Sequence, residues 1–378
     1  MEFLVNGIMA LTWQQVIMFV IGGVLIFLAI SKKLEPALLL PMGFGAILVN
    51  IPLSGAVDQV MAGVGNVNGI VDWLFSVGIE ASEMMPLLLF IGIGAMIDFG
   101  PLLKNPKLLF FGAAAQFGIF ATITASAALG FSIQDAASIG IIGAADGPTS
   151  ILVSQVLGSG FVGPIAVAAY SYMALVPIIQ PMAIKLVTTK KERAIKMEYH
   201  GEDIPKIAKI LFPVVVTMIA GLVAPASIAL VGFLMFGNLL RECGVLDSLS
   251  ETASKVLVNL ITLLLGITIA STMKAEAFVT WQTLMIMGLG LAAFFFDTIA
   301  GVMFAKLVNV FSKKKMNPMI GAAGISAFPM SARVVQKMGL EANNQNHLLM
   351  FAVGANVSGQ IASVVAGGVI LGLVPIMM

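Results

Sequence analysis

Apolar runs of about 20 residues follow one another from end to end of this chain, in a sequence that is 59% hydrophobic and only 10% charged. At 1.5 Å rise per residue, such a run reaches across a hydrocarbon layer about 30 Å thick. Soluble domains carry about 25% charged residues, and no polar stretch here is long enough to fold by itself. The sequence therefore reads as an all-α, polytopic membrane protein. Its expected spans are Val16–Ser31, Glu35–Leu53, Glu83–Leu103, Lys107–Gly130, Gly163–Leu186, Ala208–Val223, Ile228–Arg241, Lys255–Met273, Thr280–Phe311 and Leu348–Met377. Residues 1–15 form an N-terminal segment, and Met1–Thr12 lacks the basic start of a removable signal. The single cysteine, Cys243, excludes an internal disulfide, and two distant histidines, His200 and His347, argue against His/Cys metal chemistry.

Two apolar stretches differ from these spans. Gln134–Gly158 is interrupted at Asp146-Gly147-Pro148, and Asn317–Gly339 at Phe328-Pro329. Proline has no N–H to donate, its ring clashes with the preceding turn, and the residue before it leaves the helical region. In hydrocarbon, broken backbone survives only when buried in protein or lining a wet cavity. The basic residues indicate how these stretches run, because lysine and arginine collect on the cytoplasmic side. If both stretches enter and leave the bilayer on one side, the clusters Lys32-Lys33, Lys104/Lys107, Lys185 to Lys209, Arg241/Lys255, Lys306 to Lys315 and Arg333/Lys337 share one face, and only Lys274 lies on the other. If Gln134–Gly158 spans instead, the basic 187–207 loop, which includes Glu202 and Asp203, falls outside. The first arrangement is the expectation. It puts both termini outside, together with residues 54–82, which hold acids but no Lys or Arg.

A repeat runs through the chain. Gly143–Gly158 (GAADGPTSILVSQVLG) and Gly324–Gly339 (GISAFPMSARVVQKMG) agree at six of sixteen positions. Leu87–Phe99 resembles Leu263–Ala275, and Phe120-Ala-Thr-Ile resembles Phe296-Asp-Thr-Ile, in the same order. Each half, 16–186 and 208–378, then holds five spans and one re-entrant element, joined by the 187–207 cytoplasmic loop. An odd number of spans inserts the second copy upside down, so the two broken tips approach the midplane from opposite faces. Inverted repeats with broken helices, and a site where they cross, are an architecture of ion-coupled transport, here expected to be elevator-like.

Asp146 sits at the first tip. An aspartate before Gly-Pro favours a turn and can cap the helix that follows. Ser or Asn would cap at far lower cost, because a carboxylate at membrane depth costs roughly 2.5–3.5 kcal/mol on insertion scales and usually marks an ion or proton path. Thr149 and Ser150 add hydroxyl oxygens. Carboxylate, hydroxyl and freed carbonyl oxygens are hard ligands, suited to an alkali cation or a proton, and the sequence does not separate the two. Asn356, Gln360 and Ser363 share one face of the last span, where their plainer role is glue between closely packed helices. Tyr172 lies at membrane depth and needs a polar partner. Asp297 is a second intramembrane acid, for which structural pairing and function fit equally. Asn50 and Asn238 close two spans and read as caps. Arg333, five residues after Phe328, is either an anchor on the basic side or a receiver of anions. Guanidinium grips a carboxylate with two prongs, and the helix start after Pro329 adds a positive dipole end.

With these residues assembled, GAADGPTS, YSYMALVPIIQP, GFGAILVN, FGNLLRECGV, FFFDTIAGV, GISAFPMSARVVQ and GANVSGQIAS together resemble, across almost the whole chain, the β subunit of biotin-dependent, sodium-translocating decarboxylases. That group includes the oxaloacetate, glutaconyl-CoA and methylmalonyl-CoA enzymes. The resemblance implies a subunit that receives carboxybiotin from a soluble biotin carrier, releases its carboxyl group as CO2, consumes a proton and exports Na+. It also implies a carboxyltransferase α subunit and a small membrane subunit as partners, and a homo-oligomer within the complex. No nucleic acid is expected, and no cofactor attached to this chain. The expected place is the bacterial cytoplasmic membrane. In that family the aspartate of Asp-Gly-Pro-Thr, a tyrosine of the following span and polar residues of the last span are tied to Na+ and proton coupling. These map onto Asp146, Tyr172 (Tyr170 is the competing match), Asn356 and Ser363. Asp146, Tyr172 and Arg333 are then the expected catalytic residues, with Na+ at Asp146 and Asn356 and Thr149 on its path. Composition and repeats by themselves suit equally a sodium-coupled carrier of small carboxylates. Co-purification of a biotinylated partner would separate the two.

Overall fold

The computed structural model describes residues 2–33, 36–61, 63, 65–81, 83–197 and 204–377. Glu35, His200, Glu202 and Asp203 lie outside them. In chain order the main elements are α1 (Trp13–Ser31), α2 (Pro36–Val49), β1 (Asp58–Met61), β2 (Gly65–Asn68), α3 (Met84–Met96), α4 (Pro106–Ala128, broken at Gln116), α5 (Ile133–Gly140), α6 (Gly147–Val156), α7 (Val162–Val187), α8 (Lys206–Val223), α9 (Ile228–Glu242), α10 (Asp247–Thr272), α11 (Trp281–Phe311), α12 (Met330–Ala342) and α13 (Leu349–Met377). Among the described residues, six helices (α1, α4, α8, α10, α11 and α13) are long and apolar enough to cross a membrane, and up to eight if two bent pairs each make one span. This is an all-α membrane fold. Its one small departure is an antiparallel hairpin of β1 and β2, with Asp58 opposite Asn68, inside the 54–82 segment.

Local chemistry explains where helices differ from the expected spans. α1 starts at Trp13 because Thr12 and Gln15 close a capping box. The Gln15 N–H donates to Thr12 Oγ1 at 3.3 Å, and the Thr12 N–H to Gln15 Oε1 at 2.9 Å. α2 stops at Val49, short of Leu53, because Ile51 precedes Pro52 and a residue before proline avoids the helical region. α3 stops at Met96, short of Leu103, and Ile97 is extended. α7, read as a plain span, is bent by 70° between Val162–Met173 and Leu175–Val187. The ring of Pro177 meets the carbonyl four residues back, that of Met173, and forces the bend.

Burial sorts the helices. In its most apolar stretch α13 is 50% buried, whereas α8 is only 11% buried. α8 turns Ile207, Leu211, Met218 and Leu222 outward. That is an apolar face suited to lipid, while α13 runs through the centre.

Two broken elements meet in the middle. In the first, α5 tightens into a 3-10 turn at Ile141–Ala144, and the chain reverses at Ala145 with φ +54° before α6 leads away. A non-glycine residue in that region costs roughly 1–2 kcal/mol. The two ends of this element lie side by side. Ser159 Oγ donates to Asp135 Oδ1 at 2.7 Å, and the Gly160 N–H to the same oxygen at 3.2 Å. The second element is a short helix (Met319–Ala322), a cis Phe328-Pro329 peptide and α12. Its ends also meet, at the Ile195 carbonyl, which accepts from Asn317 Nδ2 (3.0 Å) and Asn346 Nδ2 (2.9 Å). The tips touch where the Ser326 N–H donates to the Ala144 carbonyl at 3.0 Å.

Asn50 ends α2, where its Nδ2 donates to the Ala46 carbonyl at 2.7 Å, but Asn238, expected to close its span, lies inside α9, which continues to Glu242. Asn50 Nδ2 donates to the Met273 carbonyl (2.8 Å), and its Oδ1 accepts the Ala275 N–H (2.8 Å). Asn238 Nδ2 donates to the Ile97 carbonyl (2.9 Å). Ile97 and Met273 hold the same place in the Leu87–Phe99 and Leu263–Ala275 pair. Each asparagine thus reaches from one half of the chain to the helix end of the other.

Candidate functional site

Asp146 caps α6 and is 4% exposed. Its Oδ1 accepts the Thr149 N–H at 3.4 Å, the capping bond. Its Oδ2 accepts Thr149 Oγ1 at 2.8 Å and, from α13, Ser363 Oγ at 3.0 Å. The carboxylate therefore holds more partners than a cap requires. Ser150 does not touch it, and donates instead to the Asp146 carbonyl at 2.8 Å.

α13 lies across both tips with one polar stripe at positions 356, 360 and 363. Asn356 Nδ2 donates to the Ile325 carbonyl at 2.7 Å. Gln360 Nε2 donates to Ser326 Oγ at 2.7 Å and to the Ser326 carbonyl. From α7, Gln180 Nε2 donates to the Ala322 carbonyl at 2.8 Å. Three side-chain amides thus satisfy carbonyls freed where the second element breaks, which in hydrocarbon would otherwise cost several kcal/mol each. The amide oxygens Asn356 Oδ1, Gln360 Oε1 and Gln180 Oε1 are buried without a hydrogen-bond partner among the described residues. Close approach makes this possible. A Cβ on Gly359 would lie 2.3 Å from the Gly324 carbonyl oxygen, so only glycine lets α13 rest on the tip.

A cavity of about 350 Å³ opens onto the carboxylate. Asp146, Tyr170, Thr262, Ser326, Arg333 and Gln360 supply its polar lining, and Leu38, Leu89 and Val258 part of its apolar wall. It holds one acid and one base. Arg333 has no ion-pair partner among the described residues.

The structure joins Thr149 and Ser363 to Asp146 and puts Gln360 on the same cavity, sets Asn356 on the second tip at the Ile325 carbonyl, and leaves Tyr172 and Asp297 apart from them. Tyr172 was expected in the cation path. Its hydroxyl donates instead to the Met287 carbonyl of α11, on the far side of α7. Two helical positions are about 200° of rotation apart, and Tyr170 is the residue that faces the cavity. Its ring presses on Gly147, where a Cβ would sit 2.2 Å from Tyr170 Cε1, and its hydroxyl has no hydrogen-bond partner among the described residues. Asp297 lies behind the first tip. Its Oδ1 accepts the Gly118 N–H at the α4 break, and its Oδ2 faces Gly143 with no hydrogen bond among the described residues. Sequence reasoning missed Ser326 and Gln180. Ser326 stood inside the quoted tip GISAFP, two residues before the break at Phe328. Nothing in the sequence marked Gln180 as the reach from α7.

Fold and site together define a helical membrane protein built around a buried carboxylate, ringed by neutral oxygens, where two broken helices meet. The family model described as Na+-transporting oxaloacetate decarboxylase beta subunit matches residues 14–374, and the chain belongs to that family. It is similar to methylmalonyl-CoA decarboxylase subunit beta of Propionigenium modestum, at 47% identity over 97% of both chains. It is also similar to the oxaloacetate decarboxylase beta chain of Klebsiella pneumoniae, at 45% identity over 97% of this chain and 96% of that one. Glutaconyl-CoA decarboxylase subunit beta of Acidaminococcus fermentans is 46% identical over 98% of this chain and 96% of its own. The protein is thus a sodium-pumping membrane subunit of a decarboxylase, one subunit of a larger complex.

Proposed function

We propose that this subunit decarboxylates carboxybiotin delivered by a soluble biotin carrier, and couples that step and the uptake of a proton to Na+ export. The observation that carries the reading is the shared cavity, which has Asp146 and an ion-pair-free Arg333 on one wall system. The carboxylate of carboxybiotin is held by Arg333, a two-pronged donor. Na+ binds deeper, at Asp146, with Thr149, Ser363 and the unpartnered oxygens of Asn356 and Gln360 as neutral ligands. One carboxylate among neutral oxygens suits a monovalent ion.

The bond between the ureido nitrogen and the carboxyl carbon breaks, CO2 leaves, and that nitrogen takes a proton. Loss of the anion weakens the hold on Na+ nearby. A proton reaches Asp146, displaces Na+ outward and passes to biotin. Moving one charge against 100 mV costs about 2.3 kcal/mol, within the reach of one decarboxylation.

The proposed frame is a pair of inverted repeats, 16–186 and 208–378, moving in an elevator-like way about the crossing tips. Three observations support it: the ends of each broken element meet, the tips touch, and Asn50 and Asn238 make reciprocal bonds to equivalent helix ends. The same reading has a carboxyltransferase α subunit, a small membrane subunit and further copies of this chain as partners, in the bacterial cytoplasmic membrane.

The test is Asp146→Asn, which keeps shape and capping ability and removes the charge. Reconstituted complexes carrying it should neither pump Na+ nor turn over carboxybiotin. Pumping near the wild-type rate would reduce Asp146 to a turn former and end the coupling scheme.

A further inference from the structure

A second cavity, of about 440 Å³, shares Met330 and Arg333 with the one that opens onto Asp146. Two helical stripes with four-residue spacing line it. Pro177, Pro181 and Lys185 come from the lower half of the bent α7, and Arg333, Lys337 and Glu341 come from α12. Residues four apart stack on one helix face, so each stripe is one side of a trough. Lys185, Arg333 and Lys337 are all exposed, and none has an ion-pair partner among the described residues, although Glu341 lines the same trough. Some basic side chains elsewhere do find acids: Lys306 meets Glu192 at 2.9 Å, and Lys209 meets Glu242 at 3.8 Å.

We propose that this trough is an anion vestibule, in which Lys185 and Lys337 capture the carboxylated ureido ring and hand it to Arg333. The inference rests on the carboxybiotin reading above and adds a binding site to it. Three unpaired cations around one acid leave a net positive trough, and such a cleft raises the local concentration of an anion. The proline edge of α7 offers an apolar wall for the aliphatic arm that carries the ring. Arg333 belongs to both cavities, so an anion held by the lysines reaches Asp146's cavity by passing one side chain. Lys185 and Lys337 are positioning residues in this scheme, since neither lines the inner cavity.

The experiment uses the assembled complex in a zwitterionic detergent, with free carboxybiotin as substrate at varied concentration and salt. Lys185→Gln and Lys337→Gln should each raise KM about fivefold, and the double variant roughly tenfold or more, within the range of electrostatic capture. Turnover at saturation and the Na+ midpoint should stay within twofold. Lys337→Arg should restore KM. The fall of kcat/KM with added salt should flatten in the double variant, because exposed charges are screened beyond about 8 Å at physiological ionic strength. An unchanged KM and salt slope in the double variant would overturn the vestibule. So would an effect that appears only when anionic lipid is added, since the lysines would then be holding headgroups. Arg333→Ala separates the two levels. If it too leaves carboxybiotin turnover intact, the underlying reading fails; if it alone abolishes turnover, only the vestibule does.

Discussion

The amide of Ser326 donates to the carbonyl of Ala144 at 3.0 Å, so the two broken elements are joined tip to tip through backbone alone. Asp146 lies two residues beyond one partner of that bond. Ser326, the other partner, holds Gln360 through both its carbonyl and its hydroxyl. A shift of either tip therefore moves the carboxylate and the polar stripe of α13 relative to each other. In the match between Gly143–Gly158 and Gly324–Gly339, Ala327 stands where Asp146 does, so only the first of the two segments carries an acid.

Ser363→Ala should raise the Na+ concentration for half-maximal activity about tenfold. Hydrogen bonds to charged groups contribute about 1.5–3 kcal/mol, and 1.4 kcal/mol is a factor of ten. Ser363 Oγ lies 3.0 Å from Asp146 Oδ2. A Na+ titration of decarboxylation gives the answer, and a midpoint within twofold of wild type would remove Ser363 from the cation path.

The two tyrosines should part company. Tyr170→Phe deletes a hydroxyl in the cavity that has no protein partner, so it should change the Na+ midpoint while barely altering thermal stability. Tyr172→Phe deletes a bond to the Met287 carbonyl and should lower stability by about 1 kcal/mol, with the smaller effect on the midpoint. The reverse ranking, read from paired Na+ titrations and unfolding curves, would return Tyr172 to the cation path.

Asn50→Ala should destabilise the protein by about 1–3 kcal/mol and Asn238→Ala by about 1 kcal/mol, because the first leaves the Met273 carbonyl and the Ala275 N–H without this partner and the second only the Ile97 carbonyl. Thermal unfolding in detergent is the measurement. A large loss at one site and none at the other would speak against two equivalent halves.

Single cysteines at Ser132 and at Gly160, which are both exposed, in a Cys243→Ser background, should both react with an impermeant reagent from outside. The bond between Ser159 and Asp135 puts the ends of the first broken element together. Labelling of the position-160 cysteine from the cytoplasm alone would mean that residues 134–158 cross the membrane, and the inverted arrangement would fall.

Hydropathy and proline positions, which are local, were enough to read the membrane class, both interruptions and the carboxylate at the first. The same kind of pattern marked Asn356, Gln360 and Ser363, because positions four and three apart on one helix share a face whatever lies opposite. What lies opposite was decided only in three dimensions. That Tyr170 and not Tyr172 meets the cavity depends on the rotation of α7, and both tyrosines satisfy the same motif. That Gln180 serves the break, that Asn50 and Asn238 reach across the halves, and that Lys337 shares a trough with Lys185 are contacts between residues about 140 or more positions apart. A one-dimensional pattern fixes which face of a helix is polar. Only packing fixes which partner that face receives.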